Sequence, residues 1–183
     1  MDDYPEHLSP GFLDSGAVQT PFDEWWPQVS SHFFKVPEDA ARYWLHEHWS
    51  HSPFSWLQSV NYDFCEMVWP INRINEIQSP WCDYEPGNEI CRQQGSYILT
   101  LSGYRTAAYM NKHGNPPVRL VVMDNNDGHL VAGVDRVPSY ENVPRGYFIV
   151  EGHQRFNMSL ALASENRLGE LPIWLMTRVG QLK

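Results

Sequence analysis

The chain has no apolar run approaching the roughly 18 residues that a membrane helix requires; its longest apolar stretches are strand-length, which predicts no membrane span. Basic residues are scarce, with 13 Lys and Arg against 22 Asp and Glu and a formal charge of −9. Tight non-specific duplex binding draws most of its affinity from a basic excess, so that class is disfavoured for the chain as a whole. Cysteines number three, Cys65, Cys82 and Cys91, with no CxxC pair and no repeated spacing. This predicts reduced core or surface thiols rather than a disulfide scaffold or a zinc site. The first residues, Met1 to Glu6, lack a basic stretch followed by an apolar one, so no signal peptide is expected and the default location is cytoplasmic. Internal repeats and low-complexity tracts are also missing.

What is present is aromatic and apolar. Eight Trp, nine Tyr and eight Phe in 183 residues, with 42% hydrophobic and 19% charged residues, exclude a disordered chain and predict a sizeable core. The length suits one domain of ordinary size with room for a small subdomain. Charge divides unevenly: residues 1–63 hold two basic and ten acidic side chains, net −8, whereas residues 64–183 hold eleven and twelve, net −1. The expected organisation is an acidic aromatic extension or cap over 1–63 and an α+β domain over 64–183. A nucleic-acid role would need a local cationic cleft in the second part.

Four prolines in the first 30 residues, Pro5, Pro10, Pro21 and Pro27, predict an arm rather than a helical bundle. Pro37 with Glu38 and Asp39 reads as a helix start, running through Trp44, Leu45, His48 and Trp49 to a stop at Pro53. Phe54, Trp56, Leu57 and Val60 form a second short amphipathic piece. Five of the eight tryptophans precede residue 63, and burial statistics favour a helical cap whose aromatics pack on the rest of the protein. The competing reading is an exposed aromatic surface that docks a protein partner.

From residue 64 the pattern becomes strands alternating with helices. Phe64 to Trp69 reads as a strand, and Ile71, Ile74 and Ile77 continue at helical spacing. Tyr97 to Leu101 is a short apolar run before a helical segment from Tyr104 to Asn111. Val118 to Met123 is the clearest strand, and Asn125 to Gly128 predicts a hairpin turn into a strand over His129 to Val134. Gly146 to Val150 and Leu171 to Met176 read as strands flanking a helix from His153 to Ser164.

The unit Glu151-Gly152-His153-Gln154-Arg155, leaving a strand and entering a helix, carries the chemistry. Free N–H groups at a helix N-terminus favour an anion, and a glycine lets a phosphate approach the backbone. Arg155 in the first turn can add a bidentate phosphate contact. His153 can exchange a proton near neutral pH, and Glu151 can hold a divalent cation beside the phosphates. The plain alternative is a tight turn with a surface ion pair and a capping histidine.

Tyr147 to Asn157 resembles the strand, acidic-Gly-x-x-Arg, helix motif of the ParB/sulfiredoxin superfamily, and Leu171 to Leu175 resembles its following strand. His113 to Val122 is similar to the family's Gly-x-x-Pro-Val strand entry, and Ile71 to Ile77 to its opening segment. The resemblance spans roughly residues 64–179. It implies an α+β fold with a small mixed sheet, ATP or CTP bound with Mg²⁺, phosphates at Gly152, His153, Gln154 and Arg155, and metal at Glu151. Glu151, His153 and Glu76 are its catalytic candidates, the last because a superfamily kinase places a carboxylate base near the opening strand. The catalytic cysteine of sulfiredoxins is replaced by His153, so sulfinic-acid reduction is not expected, and neither is the centromere binding that partition proteins perform through a following helix-turn-helix. The similar size of Osa-type plasmid fertility-inhibition proteins suggests ATP hydrolysis, DNA cleavage and a role in conjugation. The alternatives are a non-enzymatic binding module acting through residues 1–63 and a small-molecule kinase.

Other clusters carry less. His46, His48 and His51 do not meet the HExxH zinc pattern, because Ser50 holds its last place. Glu66 reads as a solvated face, Arg105 and Arg119 as ion-pair partners, and Asp124 to Gly128 as a turn rather than a calcium loop, since Asp135 stands where the distal Glu is required.

Overall fold

Leu120-Val121-Val122-Met123 is apolar at every position, the pattern of a strand buried on both faces, and it lies at the centre of a five-stranded sheet. The computed structural model describes residues 5–49, 61–85, 87–130 and 143–180. The strands are β1 (Tyr62–Trp69), β2 (Ile77–Gln78), β3 (Leu120–Asp124), β4 (Tyr147–Glu151) and β5 (Leu171–Arg178), in the order β1-β5-β3-β4-β2. β5 pairs antiparallel with β1 and parallel with β3; β4 pairs antiparallel with β3 and parallel with β2. The class is α+β with a mixed sheet, as expected.

Strand alternation sends side chains to two cores. Leu120 and Val122, Ile149, and Ile173 and Leu175 face helices α3 (Glu89–Leu99), α4 (Arg105–His113) and α5 (His153–Ser164), where they meet Met110, Phe156, Met158 and Leu160. Val121, Met123, Phe148, Val150 and Met176 face the N-terminal segment and share one core with Phe22, Trp25, Phe33, Trp44, Leu45 and Trp49. That segment comprises helix α1 (Phe22–Val29) and a short helix α2 (Glu38–Ala40) that widens into a π-helical turn over Ala41–His46. The N-terminal third is therefore a cap whose aromatics pack inward, and its core is not separate from that of the sheet.

Three local expectations change. The apolar run at Tyr97 to Leu101 belongs in its first three residues to the end of α3; Gly95 is buried because α3 crosses α5 so closely that a Cβ there would fall on the Asn157 carbonyl. The turn at Asn125 forms, closed by Gly128 N–H to Asn125 O at 2.9 Å, but His129 and Leu130 are not strand, and β3 pairs with β4. Residues 131–134 of the expected partner lie outside the described residues, as do Pro53 and the piece from Phe54 to Val60. Cys82 and Cys91 form a disulfide, so two of the three cysteines are not thiols. Positive φ at Asp83, Tyr84 and Asn88 curls the chain back and brings the 3₁₀ turn Pro80–Cys82 against the first turn of α3. Cys65 alone is a thiol. No described helix is long and apolar enough to cross a membrane.

Candidate functional site

β4 delivers Glu151 to the end of the sheet, where the β3–β4 register shifts by one residue between Val121 and Val122. Such bulges re-aim side chains at strand ends. Gly152 follows with φ +94°, a conformation that side chains rarely adopt, and a Cβ there would sit 2.9 Å from Leu120 Cδ2. α5 starts at once. Gly152 brings no side chain to cap its N-terminus, and the N–H groups of a first helical turn have no acceptor within the helix.

This turn lines a cavity of about 580 Å³. Its floor is Glu151, Gly152, His153, Gln154 and Arg155; one wall is Tyr43, Glu47 and His48 of the cap; the other is Trp81, Tyr104 and Thr106, with Pro117 and Val118 between. The site lies where cap, sheet end and helical layer meet. The structure thus brings together five of the six residues singled out in the sequence. Glu76 is not among the lining residues and is held by the Arg73 guanidinium at 2.9 Å.

Arg155 is buried and internally bonded. Its guanidinium donates to Glu151 Oε1 at 2.7 Å and to the carbonyls of Val118 and Arg119 at 3.1 and 3.3 Å, and it lies 5.5 Å from the centre of the Tyr43 ring. This ties the strand-to-helix turn to the chain entering β3. Burial raises the Glu151 pKa, with Arg155 and then His48 acting in the opposite sense. A carboxylate that is desolvated and already bonded to a guanidinium is a poor cation ligand. Glu151 therefore fits the role of holding Arg155, and the expected Mg²⁺ at Glu151 does not fit its surroundings. Among the described residues no group of three or more His, Cys, Asp or Glu is arranged to hold a metal.

His153 stacks on Trp81, with centroids 4.3 Å apart and planes within 14°. Burial lowers its pKa to about 3; His48 acts in the same direction and a backbone hydrogen bond with Val150 in the other. At neutral pH it is an uncharged imidazole, so it presents hydrogen-bonding nitrogens and an aromatic face but no proton to donate as an acid. Gln154 is exposed, and its Oε1 accepts from the Tyr104 hydroxyl at 2.5 Å.

The remaining candidates sit apart. His46 is buried against Phe22 and Trp25 and donates to Thr20 O at 2.7 Å, His48 is exposed on the cavity rim, and His51 lies outside the described residues. Arg119 pairs with Glu66 and lies 3.8 Å from Asp39, as an ion-pair partner should. Asp124 accepts from Asn126 within a plain turn. Sequence reasoning missed Tyr43, Glu47, Trp81 and Tyr104, whose convergence is purely tertiary.

Fold and cavity define an α+β protein with a helix N-terminus lining a mixed aromatic and charged pocket. No family model matches the chain, and neither a curated protein nor a solved structure matches it. The likeness to the ParB/sulfiredoxin superfamily rests on the motif residues themselves.

Proposed function

We propose that this cavity binds a nucleotide by its phosphates, in the manner of a ParB/sulfiredoxin-type domain, with ATP or CTP as ligand. The observation that carries the reading is the N-terminus of α5, entered through a positive-φ glycine and lining the cavity with Gly152, His153, Gln154 and Arg155. Its N–H groups and dipole offer fixed positive charge without a lysine. Arg155 contributes mainly by fixing this turn, with whatever donors its internal bonds leave.

The reaction we favour is phosphoester hydrolysis, of ATP and, as a further step, of DNA, in keeping with a part in plasmid conjugation. A base for water would come from the rim, Glu47 or His48, since Glu151 is bonded to Arg155 and burial leaves the neutral His153 imidazole only weakly basic. The binding-module alternative draws no support from Phe22, Trp25, Phe33, Trp44 and Trp49, which are buried, and would rest on the acidic side chains and exposed Phe34 of that segment.

Arg155→Ala is a poor probe: it strips a buried carboxylate of its partner, at a cost of about 3–5 kcal/mol. Gln154→Glu is better, since the side chain is exposed and a carboxylate there suits the helix dipole while repelling phosphate. Titration calorimetry with ATP and CTP should show micromolar binding to the intact chain and at least about tenfold weaker binding to Gln154→Glu at unchanged stability. Equal affinity in the two proteins would refute the phosphate site, and phosphate release from ATP then reports whether binding leads to turnover.

A further inference from the structure

Trp81 is a large apolar side chain that is 51% exposed, yet its position is heavily constrained. Its turn begins at buried Ser79, whose hydroxyl accepts from the Trp81 N–H at 3.3 Å, passes through Pro80, and is clamped at the next residue by the Cys82–Cys91 disulfide. The indole lies flat on the His153 ring, the first residue of α5. One face of a planar ring is thus covered at stacking distance. The residue is nonetheless half exposed and lines the cavity.

An aromatic plane held rigidly beside an anion site, with one face covered, is preorganised to stack a second planar ring. Nucleobases are the planar groups that arrive attached to phosphates, and base–aromatic stacking needs no particular base. We propose that Trp81 is the stacking platform for the nucleobase of the nucleotide whose phosphates α5 holds. This rests on the phosphate reading above and adds what that reading lacks, a reason for the site to prefer a nucleotide over bare polyphosphate. Because the platform is fixed by a cap, a proline and a disulfide, little ordering cost is incurred when the base arrives.

The test compares ATP with inorganic tripolyphosphate by titration calorimetry on the intact oxidised chain, in wild type, Trp81→Ala, Trp81→Phe and Trp81→Leu. ATP should bind about tenfold tighter than tripolyphosphate, or more, in wild type. The ratio should fall to about one in the Ala and Leu variants and stay several-fold in the Phe variant, which keeps a plane. Phe and Leu differ in planarity more than in bulk, so their comparison holds even if the Ala variant fails to fold. A wild-type ratio near one, or a ratio unchanged between Phe and Leu, overturns the platform while leaving the phosphate site standing. If neither probe binds wild type, the phosphate site falls and the platform with it.

Discussion

At the scale of the residue, His153 and Glu151 are adjacent groups that burial pushes in opposite senses. The His153 pKa is lowered to about 3 from an ordinary 6.5. Between these values the unfolded chain carries a proton that the folded chain refuses, so stability is whole above about pH 6.5 and is lost as pH falls, by at most about 1.4 kcal/mol per unit. Glu151 is raised above its ordinary 4.5, so the folded state keeps a proton that the unfolded state has released. Its contribution is full below about pH 4.5 and is lost as pH rises through the folded value. From pH 7 to 5 the His153 contribution lowers the urea midpoint while Glu151 acts in the opposite sense, so His153→Gln should make the midpoint fall less, or rise more, over that range than in wild type; an unchanged slope would show that the histidine titrates normally. The strand-Gly-helix unit was readable from sequence because each of its parts is local: an apolar strand, a glycine, a helix start. The electrostatic state of its members was not, since the desolvation comes from Trp81 and the cap.

At the scale of the element, the α3–α5 crossing sets the helical layer. Gly95 admits the Asn157 backbone, and Asn157 Nδ2 donates to Gln94 Oε1 at 3.0 Å beside it. Gly95→Ala must push the helices apart, and we expect a loss of about 3 kcal/mol, the upper end of overpacking, against the small gain alanine brings to an exposed helix. A stability equal to wild type in urea would show that the crossing is looser than described. The helix itself was hidden because polar Arg92, Gln93 and Gln94 interrupt its apolar positions, leaving Tyr97 to Leu101 as the visible run. The central and neighbouring strands were legible for the converse reason: they are apolar on both faces. The Cys82–Cys91 pair was beyond reach of spacing rules, since four left-handed residues, Asp83, Tyr84, Gly87 and Asn88, are what fold that loop. Reduction should cost roughly 2–3 kcal/mol by loop-closure entropy, read as a shift of the urea midpoint with dithiothreitol that is absent in a Cys82→Ser, Cys91→Ser double variant.

At the scale of the whole molecule, cap, sheet and helices form three layers, and the cavity belongs to all of them. The acidic, aromatic character of residues 1–63 suggested an independent extension, but composition cannot tell an exposed aromatic surface from one half of a core. Here Trp44 packs among Leu45, Val121 and Phe148. Tyr43, Glu47 and His48, on the same stretch of chain, reach the rim of the pocket. The cap therefore supplies both hydrophobic cover for the sheet and one wall of the site. The measurement that tests the account most directly is the change in backbone amide NMR shifts on adding ATP to the intact, isotope-labelled chain. The account predicts saturable shifts largest at Gly152, His153, Gln154 and Arg155. Shifts centred elsewhere, or none at millimolar ATP, would contradict it.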